Sequence, residues 1–98
     1  MDDFTKRVIE IIRKIPYGKV MSYGQVADLA GKPRGARQVA RILHSMGQKY
    51  ELPWHRVINS QGKISLPEYR GGAIQKSMLE EEGLVFRNDR IDFKIYRA

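Results

Sequence analysis

The sequence predicts an α+β fold: a winged helix-turn-helix-like single domain, mostly helical with short strands. Three observations carry this. Apolar spacing and capping residues mark four helical segments. Two of them are short, joined by a tight Gly-containing turn, and the second bears a basic stripe, as in a helix-turn-helix. From Gln48 onward the texture changes to loop signals and short β-type runs.

Phe4, Val8, Ile11, Ile12 and Ile15 recur on one helical face, so the first helix is expected from about Asp3 to Lys14. Pro16-Tyr17-Gly18-Lys19 stops it with turn chemistry. Ser22-Tyr23-Gly24-Gln25 reads as a capping box, a Ser N-cap with Gln three residues on. It opens a short helix through Val26, Ala27, Leu29 and Ala30, which Gly31-Lys32-Pro33 ends. A third helix is expected from Arg34 or Gly35 to about Met46, burying Ala36, Val39, Ala40 and Leu43. Arg34, Arg37, Arg41 and His44 are three and four residues apart and share another face. Val57-Ile58 is expected as a short buried strand, with Lys63–Leu66 pairing back as a wing across the Asn59-Ser60-Gln61-Gly62 turn. The last helix is expected over Gly72–Glu82, with Ile74, Met78 and Leu79 inward and Gly83 as its stop. Ile91–Tyr96 should close the chain as a short strand or an extended tail.

Ninety-eight residues make one domain with a single modest core. With 42% hydrophobic and 30% charged residues, the composition is that of an ordered globular chain, not a disordered one. No apolar run is long enough to span a bilayer and no signal-peptide pattern opens the chain, so a cytoplasmic protein is expected. Without cysteine there is no disulfide, no thiolate metal site and no thiol nucleophile, and two histidines are too few for a metal. No cofactor is expected. The net charge of +7 is lopsided: ten Lys/Arg against four Asp/Glu precede Glu51, and eight against seven follow. A basic field on one half marks a polyanion binder, against the plainer reading of a solvated basic face. An anionic membrane fits less well, since no helix pairs a broad apolar face with a basic one at interfacial spacing.

Pro53-Trp54-His55-Arg56-Val57 is not explained by any of this. Taken alone, Trp54 would be a partly buried anchor and His55 a satisfied core histidine. Five motifs, however, occur in order: Ser22-Tyr23-Gly24-Gln25-Val26-Ala27, Ala36-Arg37-Gln38-Val39, Pro53-Trp54-His55-Arg56-Val57-Ile58, Tyr69-Arg70-Gly71-Gly72 and Leu79-Glu80-Glu81-Glu82-Gly83. Over nearly the whole chain this series resembles the DNA-binding C-terminal domain of the O6-alkylguanine-DNA alkyltransferases. In those enzymes the central motif reads Pro-Cys-His-Arg, and the Cys takes the alkyl group from guanine. Trp54 in its place resembles the alkyltransferase-like branch of the family. An indole is no thiolate, and no other thiol exists, so the family reaction is not expected.

The resemblance implies roles residue by residue. Arg37 would enter the duplex and fill the space of an extruded nucleotide, while Tyr23 presses on the adjacent phosphate; their plainer roles are a phosphate clamp and a hydrophobic staple. Arg34 and Arg41 would join them on DNA, the helix lying in the minor groove. The guanine would sit in a pocket of Trp54, Val57, Tyr69, Arg70 and Gly71. Its amine would meet the backbone carbonyls of Trp54 and Val57, and the Arg70 guanidinium would stack on the base. Arg70 stands where the enzymes commonly have Ser. His55 and Glu82 match residues that activate the thiol; here, with Arg56 and Asn59, they are expected to brace the segment.

The function implied is a non-enzymatic monomeric sensor that binds double-stranded DNA containing O6-alkylguanine, flips the lesion, bends the duplex and marks the site for nucleotide excision repair proteins. A sequence-specific winged-helix transcription regulator is the alternative, told apart by affinity that follows base sequence. A base-flipping hydrolase using His55 or Glu82 is a third reading, told apart by loss of the alkyl group.

Overall fold

The computed structural model describes residues 1–98. Helix α1 spans Asp3–Arg13, and its N-terminus is capped by Asp2, which accepts from the Thr5 N–H at 2.7 Å. Phe4, Val8, Ile9 and Ile12 are its buried face, with Ile11 half-buried at the edge. Helix α2 spans Tyr23–Leu29, and the Ser22 hydroxyl accepts from the Gln25 N–H at 3.0 Å. Only half of the expected capping box forms: the Gln25 side chain turns to the Ala98 carbonyl, to which its Nε2 donates at 3.1 Å, and its Oε1 accepts nothing from Ser22.

Helix α3 spans Ala36–Met46, so Arg34 lies in the preceding turn rather than on the helix. Val39 and Leu43 are buried, while Ala36 is half-buried and Ala40 is exposed. The expected stripe is therefore narrower. The small side chain of Ala40 opens a cleft instead of filling a core.

Strand β1, Met21–Ser22, pairs in parallel with β2, Val57–Ile58, in the register Met21↔Val57 and Ser22↔Ile58. Successive strand residues face opposite ways. Val57 thus enters a core built on α1, α2 and α3, while Ile58 joins Val20, Leu79, Leu84 and Ile91 in a second, smaller one.

The wing does not form: Lys63–Leu66 makes no strand. The Asn59 side chain accepts from the Gln61 and Lys63 N–H groups, both at 3.0 Å, and curls the chain into a tight loop. Ile64 then packs on the second core, and Pro67 cannot donate to a ladder.

Helix α4 spans Gly72–Glu81, and Gly83 at φ +94 supplies the expected stop. Its inward stripe is Gly72, Gln75 and Leu79, with Met78 half-buried; Ile74 faces solvent, contrary to expectation. The C-terminal segment is no strand. Asp92 caps a single-turn helix α5, Phe93–Tyr96, after which Arg97 bridges to Val20. No helix is long and apolar enough to cross a membrane.

Candidate nucleic-acid interface

An open cleft of about 860 Å³ runs beside α3. Tyr23, Arg37 and Trp54 contribute to its walls, together with Ala40, Leu43, Ser65 and Leu66. Each residue is placed by a local cause. Tyr23 follows the Ser22 N-cap at the start of α2, half-buried, and shares the cleft wall with Ser65. Burial pushes its phenol above the ordinary value, outweighing the lowering effect of the Ser65 hydroxyl, so Tyr23 stays a neutral donor. Arg37 is exposed in the first turn of α3.

Trp54 begins a 3-10 turn, Trp54–Arg56, which runs into β2. Its ring is half-buried against the first core, and its backbone N–H donates to the Leu52 carbonyl at 2.7 Å. Gln75, a residue the sequence did not single out, reaches across from α4. Its side-chain amide donates to the carbonyls of His55 at 3.2 Å and Val57 at 3.1 Å. Buried carbonyls need partners, and this one amide fixes the turn that carries Trp54. The signal for it is the i, i+3, i+7 stripe of Gly72, Gln75 and Leu79, hidden by the more apolar Ile74.

Behind the turn sits a charged cluster. Glu82 accepts from His55 Nε2 at 2.6 Å, from the Arg56 guanidinium at 2.9–3.1 Å and from the Gly18 N–H at 2.7 Å. Arg56 also donates to the Ile15 carbonyl at 2.9 Å. Burial raises the Glu82 carboxyl, but the bonds from Arg56, Gly18 and His55 outweigh it and hold the group below the ordinary range. A carboxylate can only accept, so His55 Nε2 is the donor. His55 Nδ1 is left buried without a partner. This cluster joins α1, the Trp54 turn and the end of α4. Asn59, expected to share it, caps its own loop instead.

Of the five residues assigned to the lesion pocket, Trp54 alone lines the cleft. Val57 is fully buried beneath it. Both carbonyls assigned to the guanine amine already accept one internal bond, Trp54 from the Val57 N–H and Val57 from Gln75. Each keeps a second lone pair.

Tyr69 and Arg70 stand outside, on an exposed 3-10 turn beyond Leu66 that the half-buried Gly71 closes, with the Arg70 guanidinium 5.9 Å from the Tyr69 ring centre. Gly72 ties that turn to α4, because a Cβ there would collide with the Leu66 carbonyl oxygen.

Arg34 and Arg41 are exposed but do not line the cleft; Arg34 instead borders a smaller depression with Lys32 and Gln38. No three His, Asp or Glu side chains converge as a metal site requires.

The chain is similar to Alkyltransferase-like protein 1 of Schizosaccharomyces pombe, 40% identical over 97 residues, which cover 97% of this chain and 90% of that protein. It is 43% identical over 96 residues to the DNA base-flipping protein of Escherichia coli, covering 98% of this chain and 74% of that one. Among solved structures, it resembles the S. pombe alkyltransferase-like protein in complex with damaged DNA containing O6-carboxymethylguanine. The TM-score is 0.87 at 38% identity, covering 100% of this chain and 96% of the other. The Mycobacterium tuberculosis O6-methylguanine methyltransferase matches at a TM-score of 0.63 and 36% identity, over 84% of this chain and 49% of its own. Residues 3–84 match the family model of the DNA-binding domain of 6-O-methylguanine DNA methyltransferase. The chain therefore belongs to the family of that DNA-binding domain.

Proposed function

We infer that this protein is a non-enzymatic reader of O6-alkylguanine in double-stranded DNA. One observation carries it. Trp54 stands in the wall of a cleft shared with Arg37 and Tyr23, in a chain that has no thiol. The site can hold a base but has no thiolate to accept its alkyl group. The yeast relative's complex with a modified guanine and the bacterial relative's description as base-flipping support the same conclusion.

Arg37 enters the stack where the nucleotide leaves it, Tyr23 donates to the neighbouring phosphate, and Arg34 and Arg41 hold the backbone. The indole of Trp54 packs on the alkyl group, and the free lone pairs of the Trp54 and Val57 carbonyls take the guanine amine. Arg70 stacks on the base from the rim, with Tyr69 and Gly71 beside it. The lesion is held rather than repaired, which marks the site for nucleotide excision repair proteins.

Phosphate contacts from this face release counterions. Binding should weaken linearly on a log–log salt plot, by about 0.9 log unit per contact per decade. The slope should be shared by normal and alkylated DNA, and a flat response would remove the basic face from the backbone.

Trp54→Ala tests the pocket itself. Because the ring is half-buried, the variant should fold, losing less than the roughly 3–5 kcal/mol of a fully buried aromatic. It should still bind alkylated DNA. It should lose discrimination by alkyl size, at roughly 25 cal/mol per Å² of contact removed. Isotherms for methyl, benzyl and larger O6 groups, beside thermal melts, measure both effects. A folded variant with unchanged preferences would take Trp54 out of the site.

A further inference from the structure

The cleft extends further than a methylated base requires. Its wall follows α3 from Ala36 and Arg37 through Ala40, Leu43 and His44 to Gly47, about 16 Å of helix at 1.5 Å per residue. Where α3 ends the lining turns polar, with His44, Gln48 and Glu51. Glu51 is the only carboxylate on the lining, and no ion pair within the fold neutralises it. Its backbone lies at φ +52, a region that a non-glycine residue seldom occupies. The bond from the Leu52 N–H to the Gly47 carbonyl, at 2.8 Å, holds this turn.

A lone carboxylate on a surface meant for a polyanion weakens that binding. It is accounted for if the group it meets is not phosphate. We propose that this end of the cleft is a subsite for the far end of the O6 substituent. There Glu51 selects substituents ending in a cation or a hydrogen-bond donor over those ending in a carboxylate. The proposal rests on the lesion-reading function above. Gln48 can donate or accept and serves either kind of tail. Arg37 favours the opposite sign, and His44 and the neutral Tyr23 phenol are the remaining titratable groups on the lining. The test therefore reads the change on removing Glu51, not the absolute preference.

Duplexes carrying one O6-aminobutyl-, O6-butyl- or O6-carboxypropylguanine, and the unmodified duplex, are titrated with wild type and Glu51→Gln at one pH and salt. Glu51 is exposed, so the variant should melt as wild type does. The aminobutyl-to-carboxypropyl affinity ratio should fall by about fivefold or more, the effect of one unit charge at roughly 4 Å even in water. Butyl and unmodified duplexes should gain equally, by the smaller factor that removing one negative charge beside the phosphates gives. If the ratio stays constant while all three modified duplexes still outcompete the unmodified one, the subsite is overturned and lesion reading stands. If none outcompetes it, lesion reading fails and the subsite with it.

Discussion

Glu82→Ala should cost about 3–5 kcal/mol of stability, the usual loss when one partner of a buried ion pair is removed. The carboxylate is 6% exposed and Arg56 17% exposed, so water cannot replace it cheaply. Three donors would lose their acceptor together: the Arg56 fork, His55 Nε2 and the Gly18 N–H. A domain of this size has roughly 5–15 kcal/mol in total, so the variant should lose a large share of its stability and unfold at a clearly lower urea concentration.

Acid should act on the same group. Its folded carboxyl titrates below the ordinary 4.5, so the unfolded chain binds the proton first. The cluster's contribution is complete above pH 4.5 and is lost as pH falls through the folded value. Urea melts at neutral and acid pH measure both effects. The pH dependence below 4.5 should be weaker in the variant, and a variant as stable as wild type would mean that the cluster is not what holds the Trp54 turn to the end of α4.

Arg37→Ala should lower affinity for O6-alkylguanine DNA by roughly 30-fold, the scale of a binding hot spot of about 2 kcal/mol. Arg41→Ala should lower it by about fivefold or less, as a screened surface charge does. Both side chains are exposed on α3, but only Arg37 lines the cleft with Trp54 and Tyr23. On unmodified DNA the two losses should be similar, because no lesion is there to be held extruded. Equal losses on alkylated DNA would make Arg37 one more clamp. Fluorescence anisotropy with matched duplexes separates these outcomes.

The sequence revealed what local chemistry decides. Ser22 caps α2, Val39 and Leu43 face the core, and Gly83 ends α4, all from spacing and cap chemistry within a few residues. The ordered motifs also assign Trp54, Arg37 and Tyr23 to one DNA-facing surface, and all three line the same cleft. Features that depend on distant partners were not legible. The partner of β2 is Met21–Ser22, far back in the chain, and Asn59 spends its side chain closing the loop that looked like a hairpin. Ile74 was the apolar choice for the inside of α4. The position belongs to Gln75, because two carbonyls near the Trp54 turn need a donor. Ala40 looked like core because it is small and apolar, yet it lines the cleft. Ser65, Leu66, Gln48 and Glu51 reach the same cleft from loops, where no periodicity announces a side chain's direction.

The most direct test of the central claim is a competition between two duplexes that differ only by an O6-methyl group on one guanine. The modified duplex is recovered afterwards and weighed by mass spectrometry. Lesion reading predicts that the methylated duplex wins at every flanking sequence tried and returns with its methyl group in place. Equal affinity for the two duplexes, or affinity that follows the flanking sequence instead, would contradict it, as would a duplex returned without its methyl group.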